Sequence, residues 1–408
     1  MEIGESLAKA LETHPCYNEE AHRKFARMHL PVAPRCNIQC NYCNRKYDCS
    51  NESRPGVTSE VLTPAEAIDK VSEVRKAIPE LSVIGIAGPG DALANEETFE
   101  TLGLLAERFP DLTACISTNG LMLPQRADEL HRLGVRFVTV TMNAVDPAIA
   151  EKIYGSVIWE GKRLTGGEAA ERLLANQLEG IEKAVGLGML VKVNVVMIPG
   201  INAGHIPELV KRVKSLGAYI VNILPLIPVE GTPFENMRAP TAAERREMMD
   251  LCEADARMMR HCKQCRADAI GLLGKDRSAE FAGCGKGSAP APIQTPTLPG
   301  ERLVAVATED GKTVSGGFGN TREFRIYATD GDTIRMVRKV PVDTGREMAG
   351  ESHREHVSGI IASLGAVSAI VVKEIGEGPL AELSARGIRV SLRDGPVADA
   401  VLEMGGGC

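Results

Sequence analysis

The sequence has no long hydrophobic run and no excess of basic residues. No apolar stretch in the 408 residues approaches the roughly 20 that a membrane-spanning helix needs. Lysine and arginine number 47 against 54 aspartate and glutamate, a net charge of -7, so the chain has no basic surface to attract nucleic acid by counterion release. Residues 1–15 lack a secretory signal pattern. We therefore expect a cytoplasmic protein that binds neither membranes nor nucleic acid.

Cysteine, by contrast, is abundant. Eleven cysteines in a chain expected in a reducing compartment are better explained by metal binding than by disulfides. Most of them fall into two groups, at residues 36–49 and 252–265. Cys284 and Cys408 lie outside these groups and have no assigned role.

The first cysteine group begins with a C-x3-C-x2-C run made by Cys36, Cys40 and Cys43, and Tyr42 precedes the third cysteine. Three thiolates of one loop can bind three irons of a [4Fe-4S] cube, which leaves the fourth iron open to a small molecule. A zinc site is the alternative, but zinc usually completes a tetrahedron with paired ligands. The spacing therefore favours a [4Fe-4S] cluster with one open iron.

This run, with its aromatic residue, resembles the signature of the radical S-adenosylmethionine (SAM) superfamily. The resemblance implies that Cys36, Cys40 and Cys43 are the catalytic cluster ligands, that SAM chelates the fourth iron, and that one electron cleaves SAM to a 5'-deoxyadenosyl radical. A longer stretch, from His14-Pro15-Cys16 to Pro55-Gly56-Val57, resembles the NifB family of nitrogenase cofactor maturases. That likeness continues through residue 277 and into the C-terminal part.

β-rich runs alternate with helical patterns after residue 28. We predict strands at 28–34, 82–88, 113–118, 136–143, 190–198 and 219–226, and helices at 64–78, 95–108, 124–133, 146–186, 205–216 and 240–260. Residues 1–27 are predicted to be a helical lead-in with an amphipathic segment at 19–27. Consecutive β/α units predict an α/β fold with a partial (β/α)6 barrel, whose active residues lie at the C-terminal ends of the strands.

Several strand ends carry residues in positions where the superfamily contacts SAM. The second strand ends in a glycine-rich turn that lets the backbone approach a ligand closely. The resemblance implies that the residues contacting SAM are Tyr42, Gly88, Gly90, Asp91, Asn119, Thr141, Asn143 and Val195. Alternation along the third strand puts Cys115, Ser117 and Asn119 on one face, so Cys115 points inward, as a ligand or as a buried core residue.

The second cysteine group consists of Cys252, Cys262 and Cys265, which stand among Arg257, Arg260, Lys263 and Arg266. A C-x2-C pair can also be a redox pair, but the third cysteine favours an iron-sulfur site. Near the N-terminus, the bend at Pro15 can aim His14 and Cys16 at the core.

Residues 285–300 are rich in proline and predict a stiff linker between a radical SAM domain at 1–284 and a separate domain at 301–408. The second domain is predicted to contain a strand at 303–308, a hairpin at 323–339, a helix at 352–364 and a strand at 369–373. It resembles the ribonuclease-H-like cofactor-binding domain of NifX and NafY proteins. His353 and His356 lie on one face of its first helix, without an assigned role.

The NifB resemblance implies an enzyme that uses one SAM as a methyl donor and another as a radical source. It would insert carbide while fusing two [4Fe-4S] substrate clusters into an eight-iron precursor of the nitrogenase cofactor. We expect Cys16, Cys49 and Cys115, with His14 nearby, to hold one substrate cluster. We expect Cys252, Cys262 and Cys265 to hold the cluster that accepts the methyl group.

The expected partners are an iron-sulfur cluster donor, carrier proteins of nitrogenase cofactor assembly and an electron donor. A non-catalytic cluster scaffold is one alternative. It leaves unexplained the loop of Cys36, Cys40, Tyr42 and Cys43, which we name the SAM loop. A peptide-modifying radical SAM enzyme with auxiliary clusters is another, but it does not require Cys16, Cys49 or Cys115.

Overall fold

The computed structural model describes residues 4–51, 57–282, 301–342, 353–365 and 367–405. The chain divides into two compact units, Met1–Pro296 and Thr297–Cys408. The linker expected at 285–300 lies outside the described residues, as do Cys284, Cys408 and the side chains of His353 and His356. The limits assigned to the domains from the sequence stay a prediction.

The first unit alternates strands and helices along most of its length. Its elements are α1 (Glu5–Thr13), β1 (Ala26–His29), β2 (Ile38–Cys40), α2 (Pro64–Ala77), β3 (Leu81–Ile86), α3 (Glu96–Arg108), β4 (Thr113–Thr118), α4 (Leu123–Arg132), β5 (Phe137–Thr141), α5 (Pro147–Ile153), β6 (Tyr154–Trp159), β7 (Lys162–Leu164), α6 (Gly166–Gly186), β8 (Leu190–Met197), α7 (Ile206–Ser215), β9 (Ile220–Pro225), α8 (Ala242–Glu253), β10 (Ile270–Leu272) and β11 (Lys275–Asp276). Short 3-10 turns lie at Ala21–Arg23, Ala92–Ala94, Ala203–His205 and Ser278–Phe281. Within the described ranges, no helix is both long and apolar enough to cross a bilayer.

One eight-stranded sheet organises this unit, in the order β11-β10-β1-β3-β4-β5-β8-β9. Six of its strands are parallel, namely β1, β3, β4, β5, β8 and β9. Helices connect each of these strands to the next one in the sheet. Every residue of β8 is buried, as expected for a strand covered on both faces. The predicted partial (β/α)6 barrel is confirmed.

A later segment spans the open side of this barrel. Met258 forms a parallel bridge with Val221 of β9, while β10 pairs antiparallel with β1 at the opposite edge. The chain between these two attachments therefore runs across the gap between the first and last parallel strands. Cys262 and Cys265 lie on this segment.

The N-terminal segment covers another part of the sheet. The Tyr17 hydroxyl donates to the backbone carbonyl oxygens of Val138 and Leu190, at 3.0 and 3.3 Å. These bonds hold His14 and Cys16 close to the barrel interior. The amphipathic helix predicted at 19–27 is wrong, because this stretch forms a short 3-10 turn and then β1.

The single helix predicted at 146–186 is also wrong. A β-hairpin of β6 and β7 separates α5 from α6, and it turns at Glu160 and Gly161, both with positive φ. The sequence signal for this hairpin is the β-rich run 154–164, which a two-residue turn with glycine interrupts. This hairpin matters for the site, because β6 pairs with β2 and so supports the strand that ends at Cys40.

The second unit is a smaller α/β domain. Its elements are β12 (Arg302–Ala307), β13 (Thr313–Val314), β14 (Glu323–Thr329), β15 (Ile334–Pro341), α9 (His353–Leu364), β16 (Ala369–Val372), α10 (Glu377–Ala385), β17 (Arg389–Leu392), β18 (Gly395–Pro396) and α11 (Val397–Gly405). The main sheet has the order β15-β14-β12-β16-β17, with an antiparallel meander followed by two parallel strands. Separate apolar clusters pack on the two faces of this sheet. The predicted ribonuclease-H-like α/β domain is confirmed.

Candidate metal centres

The loop that follows β1 buries three cysteine thiols. Cys36, Cys40 and Cys43 are 7%, 4% and 9% exposed. Burial, followed by repulsion from Cys43 and Cys36, raises the pKa of the Cys40 thiol above its usual range. Binding of a cation would favour loss of the Cys40 proton, since metal ligation requires the thiolate.

Arg45 places a positive charge next to these thiols. It is buried, its Nε donates to the Gln39 side chain at 3.0 Å, and its Nη2 donates to the Ile38 carbonyl oxygen. Burial opposes its charge, but the Cys36 and Cys43 thiols raise the pKa of Arg45 above its usual value. Its Nη1 is buried without a hydrogen-bond partner among the described residues. A thiolate-bound cluster would supply the negative charge and the acceptor that this guanidinium lacks.

Two amide side chains point at the cysteine sulfurs. Asn119 Nδ2 lies 3.9 Å from Cys36 Sγ, and Asn51 Nδ2 lies 3.7 Å from Cys40 Sγ. Hydrogen bonds to the sulfurs are one of the factors that tune iron-sulfur clusters. The soft thiol donors, the buried cation and these two amides together fit a [4Fe-4S] cluster ligated by Cys36, Cys40 and Cys43.

Tyr42 is tied into a buried polar network. Its hydroxyl donates to Asn51 Oδ1 and accepts from Asn143 Nδ2 at 2.7 Å. Asn143 Oδ1 in turn accepts from the backbone N–H of Val196 at 2.8 Å. In this structure Tyr42 and Asn143, both predicted to contact SAM, hold the cluster loop against β8.

The glycine-rich turn after β3 packs directly on the chain before Cys36. The Gly90 N–H donates to the Ala33 carbonyl oxygen at 2.6 Å, and the Asp91 N–H donates to the Arg35 carbonyl oxygen at 2.8 Å. A Cβ atom at Gly90 would overlap the Arg35 carbonyl group, so only glycine permits this approach.

Asp91 links the turn to the end of β4. Its carboxylate accepts from the Thr118 hydroxyl at 3.0 Å and from the Asn119 N–H at 2.5 Å. Burial raises the pKa of Asp91 to about 6, against the effect of these hydrogen bonds. Among the other residues predicted to contact SAM, Gly88 accepts from the Ala33 N–H at 3.2 Å, and Thr141 and Val195 are buried. Their role in SAM binding stays a prediction.

A second group of sulfur and nitrogen donors surrounds a cavity inside the barrel, which we name the cysteine pocket. Its empty volume is about 670 Å³, part of it open to solvent. Four cysteines and two histidines line it, namely Cys16, Cys115, Cys262, Cys265, His14 and His29. Ser117 lines it as well, which confirms that Cys115 and Ser117 face inward together. Asn51 contacts both this pocket and Cys40 of the loop.

The cysteines of the pocket fall into two neighbourhoods. Burial raises the pKa of Cys16 to about 11; Cys265 and Cys262 add to the shift, and Lys192 opposes it. Cys16 therefore lies near Cys262 and Cys265, and because it also raises the pKa of Cys115, it adjoins both neighbourhoods. Cys115 and His29 lie on either side of Gly85, where a Cβ atom would be 3.3 Å from both Cys115 Sγ and His29 Nε2.

Hydrogen bonds assign different tautomers to the two histidines. His29 Nδ1 lies 2.8 Å from the Arg266 carbonyl oxygen, so its proton is on Nδ1 and Nε2 keeps a free lone pair. His14 Nδ1 accepts from the Cys16 backbone N–H at 3.2 Å, so its proton is on Nε2. Burial lowers the pKa of both residues, that of His29 to about 4, which keeps the rings neutral. His29, which the sequence did not suggest, thus has the arrangement of a metal-binding histidine.

The remaining two cysteines predicted as ligands lie outside the pocket lining. Cys49 is buried, and its N–H donates to the Pro89 carbonyl oxygen at 2.7 Å. Cys252 is fully buried on α8, with its sulfur 3.9 Å from Met248 Sδ. Burial, followed by the charge of Asp255, raises the pKa of Cys252 to about 11. The structure therefore does not join Cys252 to Cys262 and Cys265, because its helix directs the thiol elsewhere.

Most basic residues near Cys262 in sequence have other partners. Arg260 binds Asp250 and Glu253, Arg266 binds Asp268, and Arg257 donates to the Tyr219 hydroxyl. The buried cations near the pocket thiols are Arg27 and Lys192, while the exposed Lys263 lines the edge of the pocket. Arg27 Nη2 lies 3.4 Å from Cys265 Sγ, and Lys192 lines the pocket from β8.

No three histidine, cysteine, aspartate or glutamate side chains in the described ranges are arranged around a single metal ion. A [4Fe-4S] cube binds one protein ligand per iron, so its ligands need not converge on one point. The pocket offers soft sulfur donors, one imidazole lone pair and two buried cations, a donor set that suits an anionic iron-sulfur cluster.

Comparisons with known proteins match both units. Residues 30–213 match the radical SAM superfamily, and residues 301–407 match the family described as dinitrogenase iron-molybdenum cofactor. The FeMo cofactor biosynthesis protein NifB of Bradyrhizobium diazoefficiens is 45% identical, covering 93% of this chain and 83% of that protein. The protein of the same name from Azotobacter vinelandii is 41% identical, with 98% and 89% covered. Solved methylornithine synthase is a distant likeness, with 16% identity and a TM-score of 0.42 over 63% of this chain and 72% of its own.

Proposed function

This chain belongs to the NifB family of FeMo cofactor biosynthesis proteins, and we propose that it inserts carbide from a SAM methyl group while fusing two [4Fe-4S] clusters into an eight-iron precursor. The observation that carries the proposal is the coexistence of two donor sets in one barrel. One is the three-cysteine loop of a radical SAM enzyme, and the other is the cysteine pocket beside it.

The loop residues have distinct roles in this proposal. When bound to Cys36, Cys40 and Cys43, the [4Fe-4S] cluster and SAM supply the methyl group and the radical chemistry. Arg45 offsets the negative charge of the three thiolates, and Asn119 donates toward Cys36. Asn51 connects the loop to the pocket, so the two sites are close enough for transfer between them.

We assign the two substrate clusters by the neighbourhoods within the pocket. Cys16, Cys262 and Cys265 hold one cluster, which is supported by the effect of Cys265 and Cys262 on the pKa of Cys16; Cys16 also raises the pKa of Cys115, so it lies at the border with the second cluster. His29 and Cys115 hold the other, supported by their common contact at Gly85. The sequence assigned Cys49 to the same cluster as Cys115, and that part of the assignment stays a prediction, because Cys49 lies outside the pocket lining. This grouping replaces the trios expected from the sequence, since Cys252 contacts Met248. His14 Nδ1 accepts from a backbone N–H, and its Nε2 is buried without a hydrogen-bond partner among the described residues, so its role as a ligand stays a prediction.

The count of clusters tests the function. Anaerobically prepared full-length protein should contain iron and sulfide for three [4Fe-4S] clusters, and only one EPR signal should respond to added SAM. Incubation with SAM and dithionite, which supplies the electron for SAM cleavage, should yield both S-adenosylhomocysteine and 5'-deoxyadenosine. A protein that contains a single cluster and forms no S-adenosylhomocysteine would be a radical SAM enzyme of another kind.

We expect replacement of His29 by alanine to remove a nitrogen ligand from one substrate cluster. Nitrogen coupling to that cluster, measured by pulsed EPR on the reduced protein, should disappear, because Nε2 of His29 is the free lone pair in the pocket. His14→Ala is the matched control, since its Nδ1 is occupied by a backbone N–H. Coupling that persists in His29→Ala and vanishes in His14→Ala would reverse the assignment.

The C-terminal domain, within residues 301–408, is proposed to hold the cofactor precursor for transfer to carrier proteins. Support comes from the match of residues 301–407 to the dinitrogenase iron-molybdenum cofactor family. The radical chemistry also requires a one-electron donor, and the substrate clusters require an iron-sulfur cluster donor. These proteins are the proposed partners.

A further inference from the structure

Lys192 is a buried cation in the middle of the cysteine pocket. It lies on β8, in register with Thr139 of β5 and Ile220 of β9, and its side chain is 8% exposed. Lysine is rarely this buried unless it is paired. Its presence at the base of a metal-binding pocket therefore needs a physical reason.

Within the part of the chain that the structure describes, the Lys192 ammonium has neither a carboxylate partner nor a hydrogen-bond acceptor. The residues lining the pocket include no aspartate or glutamate. Its contact there is the Tyr17 ring, with the ammonium 5.6 Å from the ring centroid. A charge in a poorly solvated pocket is most stable beside a charge of the opposite sign. The pocket therefore favours an occupant that brings negative charge.

The charge of Lys192 reaches both halves of the pocket. It lowers the pKa of the thiols of Cys16 and Cys115, against the larger effect of burial in each case. Arg27, the other buried cation, is more local: its Nη1 donates to the Gly271 carbonyl oxygen and its Nη2 faces Cys265. Lys192 is not among the groups that most affect the pKa of Cys40 or Cys43 in the loop that follows β1.

We propose that Lys192 is a positioning residue that makes the cysteine pocket hold its cluster more tightly in the reduced state than in the oxidised state. The inference rests on the proposed function, because it takes the occupant to be a thiolate-ligated [4Fe-4S] cluster. When an external one-electron reductant adds an electron to such a cluster, the cluster becomes more negative by one unit and no bond is broken. A fixed cation at short range stabilises the more negative state more, so it raises the reduction potential of the cluster.

The test compares Lys192→Met, which removes the charge but keeps the length of the side chain, with Lys192→Arg, which keeps the charge. In full-length protein, Lys192→Met should lose the pocket clusters to an iron chelator faster than the parent in both redox states, because the oxidised cluster on its thiolates is also anionic. The acceleration should be roughly tenfold larger after dithionite reduction, because the reduced cluster carries one more negative charge. If that tenfold difference between the two states is one of affinity, the potential falls by about 59 mV, since tenfold corresponds to that value for one electron. Lys192→Arg should restore both properties.

Two controls are available within the same molecule. The EPR signal that responds to SAM should keep its potential in Lys192→Met, because Lys192 lines the cysteine pocket and is not among the groups that most affect Cys40 or Cys43. Lys263→Met removes an exposed cation at the edge of the pocket and should change little, because solvent screens that charge. Lys192→Gln provides a second neutral variant if the methionine variant folds poorly.

The results of these experiments distinguish failure of the Lys192 inference from failure of the proposed function. Equal weakening of both redox states with an unchanged potential would mean that Lys192 only packs the barrel, and the inference would be wrong. An unchanged potential with unchanged retention would contradict it as well. If the parent protein contains only the SAM-responsive cluster, the proposed function fails before Lys192 is tested.

Discussion

Cys40→Ala is expected to abolish SAM cleavage, with 5'-deoxyadenosine below detection. Cys40 is one of three buried thiols in the loop, it ends β2, and Asn51 is directed at its sulfur. A cluster that leaves one iron open to SAM has only three protein ligands, so the loss of one leaves two. The measurement is chromatography of 5'-deoxyadenosine after incubation with SAM and dithionite, together with loss of the SAM-responsive EPR signal.

Cys252→Ala is the control for that experiment. Cys252 is equally buried, but its thiol contacts Met248 and lies outside both donor sets. The Cys252→Ala variant should therefore cleave SAM at the parent rate. Parent-level 5'-deoxyadenosine from Cys40→Ala would show that Cys36, Cys40 and Cys43 do not form the SAM site.

Replacing Cys262 and Cys265 together by alanine should stop methyl transfer. These cysteines lie on the segment that spans the open side of the barrel, next to Cys16, and Arg27 faces Cys265. Without them the cluster that we expect to accept the methyl group has lost two of its three thiolates. S-adenosylhomocysteine should fall below detection, while the SAM-responsive signal and the cluster near His29 and Cys115 persist.

Two further variants decide which of the two substrate clusters accepts the methyl group. Cys252→Ala should still form S-adenosylhomocysteine, although the sequence grouped Cys252 with Cys262 and Cys265. If the Cys262 and Cys265 double variant still forms S-adenosylhomocysteine while a Cys49 and Cys115 double variant does not, the methyl group goes to the other cluster.

The barrel was largely predictable, because its signals are local. Each parallel strand is a short β-rich run followed by a helical pattern, and the predicted strand 113–118 coincides with β4. The errors came where local signals compete. The run 154–164 was assigned to a helix, although its Glu160-Gly161 turn and β6–β7 pairing make it a hairpin.

The sites were predictable only where their residues are close in sequence. Cys36, Cys40 and Cys43 lie within one loop, so their spacing alone indicates a cluster with an open iron. Proximity in sequence was misleading for Cys252, since α8 carries its thiol toward Met248. The same holds for Arg260 and Arg266, which bind nearby carboxylates instead of facing the thiols.

The sequence by itself determined the order of β/α units and the chemistry of the cluster loop, because helix and strand periodicity and thiolate spacing act over a few residues. Only the tertiary structure decided which cysteines share a pocket and that His29, Arg27 and Lys192 face them. These neighbours come from distant parts of the chain and meet through strand pairing in the barrel. Their effects depend on distance through a poorly screening interior, and no spacing along the chain records that distance.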